Sequence, residues 1–230
     1  MVVMRDVLDL QGGVMLKHLF ALALVLSAWS GASASAIYST DFESAPAEWS
    51  GSGVVVPTFG NKYWANDSAA GSVAGASVLT FTSGTAVAGA SLSLLLGIID
   101  TWDNGAAGYG PDSFKVELDG VEVFSAVFDN YQNLGATVAS ELTTVSYGSN
   151  LIGSGANDAA YKLSVNLGAL SAGTHTLKFF ASGPGWQGGS DESFALDNLS
   201  ITAVPEPQTW GLALAGALAL GVTRRLRAQR

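Results

Sequence analysis

Between residues 37 and 203, apolar and polar positions alternate in short runs, and no useful length carries the 3.6-residue period of an amphipathic helix. The pattern predicts nine strands: 37–42, 54–59, 77–82, 90–99, 113–118, 121–128, 161–167, 174–181 and 194–203. They are rich in Val, Leu, Phe, Ser and Thr and are separated by Gly, Asn, Asp and Pro. The clearest unit runs from Phe114 to Phe124: Phe114, Val116 and Leu118 alternate with Lys115 and Glu117, and Asp119-Gly120 then supplies a two-residue hairpin turn. Residues 149–160 read as a loop. Nine short strands in one stretch predict an all-β fold, a jelly-roll-type β-sandwich.

Two segments at the ends break this pattern. Near the N-terminus, Met15-Leu16-Lys17-His18 is a short basic start and Leu19 to Trp29 is apolar. Ala34-Ser35-Ala36 follows as a small-residue cleavage site, so residues 1–36 read as a secretory signal peptide handled by a signal peptidase and the export machinery. Asp6 and Asp9 do not suit a signal's basic region, which makes Met15 the expected start. At the other end, Val204-Pro205-Glu206-Pro207 is stiff and extended, because each proline fixes its own φ and restricts the residue before it. Thr209 is placed to cap a helix over 209–223. Its uncharged core, Trp210 to Val222, is thirteen residues long, short of the roughly 20 that span a bilayer. Arg224, Arg225, Arg227 and Arg230 follow, extend its reach by snorkelling and predict a cytoplasmic C-terminus.

The central segment of 167 residues is one domain, 37–203, large enough for a real core. It holds sixteen Asp and Glu against Lys62, Lys115, Lys162 and Lys178, a net charge of −12. Such a surface repels nucleic acid and anionic lipid and attracts divalent cations. The chain has no cysteine, so no disulfide reinforces the domain.

The acidic residues gather in clusters. Asp41 and Glu43 stand at the end of the first strand. Asp100 and Asp103 open a Gly-rich loop that leads to Asp112, and Asp191 and Glu192 precede the last strand, which carries Asp197. Calcium takes six to eight oxygens from carboxylates, amides and backbone carbonyls, and Asp100, Asp103, Asp191 and Glu192 lie on loops of that composition, although EF-hand spacing is absent. The plainer reading is a solvated acidic surface with Asp103-Asn104-Gly105 as a turn. Trp102, Tyr109 and Trp186 sit among Gly, Asp and Asn, where flat rings stack on sugar faces; the alternative is that the indoles cap the core. His175, the domain's one histidine, reads as an exposed strand residue. No Ser-His-Asp set, phosphate loop or Cys/His zinc spacing is found.

The C-terminal combination of Pro205-Glu206-Pro207, short apolar helix and Arg224, Arg225 and Arg227 resembles the PEP-CTERM sorting signal of exported bacterial proteins. That resemblance implies processing by an exosortase, a membrane cysteine protease. It also implies an inner-membrane-anchored precursor in a Gram-negative-type bacterium, and release to the cell surface or an exopolysaccharide, biofilm-type matrix. Asp41-Phe42-Glu43 with Trp49 and the closing Leu196-Asp197-Asn198-Leu199 is similar to jelly-roll carbohydrate-binding modules. This second resemblance implies a structural calcium between Glu43 and Asp197 and an extracellular polysaccharide as ligand. Together the two imply a non-enzymatic surface protein. A rival comes from Glu117-Leu-Asp119-Gly-Val-Glu122, which resembles the E-x-D-x-x-E motif of retaining β-glucanases. In those hydrolases nucleophile and acid/base share one strand, about 5 Å apart. Gly120 departs from the motif, and an Asp119-Gly120 turn sends Glu117 and Glu122 to different strands.

Overall fold

The computed structural model describes residues 34–58, 61–68, 75–106, 108–130, 140–149, 157–189 and 191–204. Ala34–Val204 form one compact unit. The signal segment up to Ser33, with Met15, and the tail from Pro205 onward, with Glu206, Pro207, Arg224, Arg225, Arg227 and the helix expected over 209–223, lie outside the described residues. Among the described residues no helix is long and apolar enough to cross a membrane.

The unit is all-β. Its strands are β1 (Ser35–Thr40), β2 (Trp49–Gly51), β3 (Val54–Thr58), β4 (Asn61–Asn66), β5 (Ser77–Ser83), β6 (Val87–Asp100), β7 (Ser113–Leu118), β8 (Val121–Val127), β9 (Leu142–Ser149), β10 (Asp158–Leu170), β11 (Gly173–Ser182) and β12 (Glu192–Ala203). One sheet runs β3-β4-β12-β6-β10-β9, with β1 also paired to β12; the other runs β2-β5-β11-β7-β8. Every pairing is antiparallel, and the two sheets make a β-sandwich. The predicted strands lie at β1, β3, β5 to β8 and β10 to β12, while β2, β4 and β9 are additional. The loop expected over 149–160 begins and ends in strand: Ser149 closes β9 and Asp158 opens β10.

The period-2 alternation accounts for the core. Leu92, Leu94, Leu96 and Ile98 of β6 are buried at every second position, as are Leu163, Val165 and Leu167 of β10. Opposite them lie Leu79 and Phe81 of β5, Leu177 and Phe179 of β11, and Phe114, Val116 and Leu118 of β7. In β12 the buried positions are Phe194 and Leu196, then Leu199 and Ile201, so the parity changes midway. A bulge at Asp197-Asn198 makes that change, with Asn198 at φ 49° and the register against β6 broken between Asp197 and Ser200. Without the extra residue the second half of the strand would turn inside out. The same bulge divides one edge of β12: Phe194 to Leu196 pair with β4, and Leu199 to Ala203 pair with β1.

The sandwich has two poles. At one, β6, β8, β4 and β11 end, while β7, β10 and β12 begin. At the other lie the β7–β8 and β10–β11 turns and both limits of the unit, with Ser35 paired to Ala203.

Candidate functional site

At the first pole the chain assembles a buried acidic corner from residues far apart in sequence. β6 stops at Asp100, whose φ of 66° turns the backbone out of the strand and whose N–H donates to Asp158 Oδ1 at 3.0 Å. Thr101 then bonds the start of β12, donating from its N–H to Asp191 O at 2.9 Å and from Oγ1 to Asp191 Oδ1 at 2.8 Å. Trp102 turns inward. It is fully buried, packs edge-on against Trp186 and Phe128 with centroids 4.8 and 5.8 Å away, and donates from Nε1 to Ser193 O. The loop closes on itself at Asp103 and Asp112: Asp103 N–H donates to Asp112 Oδ2 at 2.7 Å, and Asp112 N–H donates to Asp103 O at 2.7 Å.

Close backbone packing holds this geometry. A Cβ on Gly183 would collide with Pro111 O and approach Asp112 Oδ1 to 2.9 Å. Gly110, at φ 73°, lies against the Asp103 carbonyl in the same way.

Asp103, Asp112 and Glu192 meet here. All three are buried, and each offers a carboxylate oxygen within 4.8 Å of the others. Glu192 opens β12 with no solvent exposure, and its Oε2 accepts the Gln187 and Gly188 N–H groups at 2.6 and 3.3 Å. Its other oxygen, Oε1, has no hydrogen-bond donor, and neither has Asp112 Oδ1. Burial pushes the Glu192 carboxyl up to about 7, helped by the neighbouring Asp112 charge. Burial also raises Asp112, with Asp191 adding to the effect. Asp103 is raised by burial first and then by Asp112, Asp129 and Asp191. No lysine or histidine figures among the groups acting on these three.

The residues read from sequence distribute as follows. Asp103 and Glu192 are in the corner. Asp191 is half-buried beside it and Asp100 is buried at the end of β6, but neither belongs to the three-carboxylate group. Asp112 completes the group, although sequence reading took it only as the end of the loop. Asp197 and Glu43 lie elsewhere. Asp197 accepts from the N–H and Nδ2 of Asn198 and is raised by burial, with Glu43 and Asp41 contributing. Glu43 is exposed and accepts the Lys62 N–H at 3.2 Å.

Of the three aromatic candidates, Trp102 is corrected: it is a core side chain with no face open to a sugar, because its indole fills the end of the sandwich. Trp186 packs on the core and donates from Nε1 to Ser68 O, while Tyr109 is 63% exposed.

At the opposite pole, Asp119-Gly120 is the β7–β8 turn, with φ 50° and 82°, both positive as a type I′ turn requires. Glu117 and Glu122 therefore sit across from each other on two strands. Glu122 is exposed and paired with Lys115 at 3.0 Å. The single-strand arrangement implied by the β-glucanase motif is absent. His175 is also corrected: it is buried, with Nδ1 2.7 Å from Asp119 Oδ2 and Nε2 3.0 Å from Ser171 O. Two acceptors ask for both ring protons, so His175 is raised, chiefly by the Asp119 bond, and Asp119 is lowered against the cost of its own burial, mainly by His175.

The fold and its corner thus define a two-sheet antiparallel sandwich with a buried carboxylate group at one pole. Among solved structures, the chain is similar to one described as the Agl-KA catalytic domain, at 18% identity and a TM-score of 0.38 over 76% of this chain and 29% of that one. It is also similar to the catalytic domain of a GH87 alpha-1,3-glucanase in complex with tetrasaccharides, at 14% identity and a TM-score of 0.37 over 77% of this chain and 30% of that one. The chain spans less than a third of the length of either, and no residue role is carried over. No family model matches the sequence, and no curated protein is similar to it.

Proposed function

We propose that this is an exported, non-enzymatic protein of the cell surface or extracellular matrix. In this reading a signal peptidase removes residues 1–36, an exosortase processes the tail at Val204-Pro205-Glu206-Pro207, and a jelly-roll domain remains to contact extracellular polysaccharide. The observation that carries it is the extent of the compact unit. Ala34–Val204 ends where the Pro-Glu-Pro motif starts, while cleavage after Ala36 falls inside β1, removing the Ser35–Ala203 and Ala36–Thr202 pairs and leaving a strand that begins at Ile37. The strand orders β4-β12-β6-β10 and β5-β11-β7-β8 support the jelly-roll reading, since successive strands from β4 to β8 change sheet at all but the hairpin. Polysaccharide contact is best supported at Tyr109, an exposed ring on a Gly-rich loop.

The experiment is fractionation of the producing bacterium with and without its exosortase. Altered size and retention in the membrane are expected when the exosortase is missing; unchanged size and location would end the sorting reading. A glycan array separates binding from catalysis. Retention of a polysaccharide that Tyr109→Ala weakens is expected. Release of reducing sugar that Glu117→Gln or Glu122→Gln abolishes would replace this reading with the hydrolase.

A further inference from the structure

We propose that Asp103, Asp112 and Glu192 form a divalent-cation site, selective for calcium, that ties the two sheets together at one pole. Asp112 and Glu192 are wholly withdrawn from solvent, and each has one carboxylate oxygen bonded to backbone N–H and one that receives no donor from any other residue, so that without an ion the two carboxyls bond each other only by sharing a proton. Asp112 Oδ2 takes the Asp103 N–H, and Glu192 Oε2 takes the Gln187 and Gly188 N–H groups. Asp112 Oδ1 and Glu192 Oε1 have no donor. Buried acceptors without donors are rare and costly, and a buried carboxylate without a cation is more so. Among the described residues no lysine or histidine acts on the three carboxyls; Lys62 is bonded at Glu43, Lys115 is paired with Glu122, and His175 is held at the opposite pole.

The oxygens that are satisfied also bear on the proposal. Backbone N–H groups fix the rotation of both carboxylates, the arrangement expected of ligands oriented before the ion arrives. An all-oxygen, carboxylate-rich set selects a hard cation. Calcium accepts direct ligation by several carboxylates, whereas magnesium sheds its waters reluctantly. The chain positions of the ligands state the consequence. Asp103 follows β6 and Glu192 opens β12 in one sheet, while Asp112 immediately precedes β7 in the other. The ion would join the sheets where a disulfide does so in other exported domains, and this chain has no cysteine. The site is distinct from Glu43 and Asp197, and it does not depend on the polysaccharide reading.

The test is thermal unfolding of the full-length protein, stripped with EDTA and then titrated with calcium, alongside calorimetric titration of the same material. At a hundredfold excess over Kd, a rise in Tm of about 5–10 °C and one ion per chain are expected, with a smaller rise for magnesium. Asp112→Asn and Glu192→Gln remove charge while keeping shape. Each should lose the calcium rise yet melt no lower than the wild type in EDTA, a crossing that a merely structural carboxylate would not produce. Should a variant not fold, terbium emission from the wild type answers instead, sensitised by Trp102 beside the site and displaced by calcium. Identical melting in EDTA and calcium with no binding heat would overturn the proposal. So would a calcium rise that survives Asp112→Asn but is lost in Asp197→Asn.

Discussion

Asp119 and Glu192 are both acidic residues in turns or at strand ends of the same sandwich, at opposite poles, and they are treated in opposite ways. Asp119 keeps a 47% exposed side chain, bonds the Thr176 N–H at 2.8 Å and faces a histidine, so its carboxyl is held below the ordinary range. Glu192 is sealed from solvent among other carboxylates, and its carboxyl is pushed to about 7. The hairpin pole is complete with protein groups alone. At the acidic pole no described lysine or histidine acts on the three carboxyls. The difference teaches that burial of an acid is informative only together with its partners.

The strongest way to break the acidic pole without touching a carboxylate is Trp102→Ala. It empties the space between Trp186 and Phe128 and should cost about 3–5 kcal/mol in urea unfolding. A loss below about 1 kcal/mol would mean that Trp102 is not the packing centre described. Next comes Gly183→Ala, which forces a methyl against Pro111 O and Asp112 Oδ1 and should cost about 1–3 kcal/mol. If the corner binds calcium, this variant should also bind it more weakly, by the same calorimetric titration.

The hairpin pole is sharpened by pH. His175 is raised from its ordinary 6.5, so its contribution is full below 6.5 and fades as pH rises through the higher folded value. Asp119 is lowered from 3.8, so its contribution is full above 3.8 and fades as pH falls through the lower folded value. Stability of the wild type minus that of His175→Gln should therefore be greatest between about pH 4 and 6.5, with a height of about 1 kcal/mol. Denaturant melts across pH 3 to 9 measure it, and a flat difference would show that the pair contributes nothing. The smallest effect belongs to Glu122→Gln, which loses one surface ion pair with Lys115 and should change stability by less than about 0.5 kcal/mol.

What sequence alone disclosed follows the same divide between local and distant. Strands β5 to β8 show alternation and turn residues within a few positions, and they are where the pattern predicts them. The missed strands carry weak patterns for physical reasons. β2 is three residues long. β4 reads Asn-Lys-Tyr-Trp-Ala-Asn, with β3 beside it in sequence but its inner neighbour β12 supplied from the far end of the domain, and β9 lies at an edge and needs few apolar residues. The parity change at Asp197-Asn198 was visible as Leu-Asp-Asn-Leu but was read as a ligand motif. Asp103 and Glu192 could be named because they stand in acidic clusters. Asp112 stands alone after a proline, and only the meeting of β6, β7 and β12 brings it to the others. Trp102 takes the core-capping place rather than the sugar-stacking one, and its polar neighbours in sequence do not disclose the inward turn, which begins at the left-handed Asp100.

The position of β12 has a mechanical consequence. It is an interior strand, bonded to β6 along most of its length, and it leads directly to Val204 at the pole remote from the acidic corner. Antiparallel hydrogen bonds lie perpendicular to the strands. A pull between Val204 and the acidic pole therefore loads the β12–β6 pairs in shear, all together, from Phe194 opposite Ile98 to Ala203 opposite Ala90. A pull between Val204 and Ile37, the first residue left after cleavage at Ala36, acts on the adjacent ends of β12 and β1, and it opens that ladder one pair at a time from Tyr38 opposite Ile201. The same domain is thus stiff toward tension that crosses it and soft toward tension that parts its own two ends.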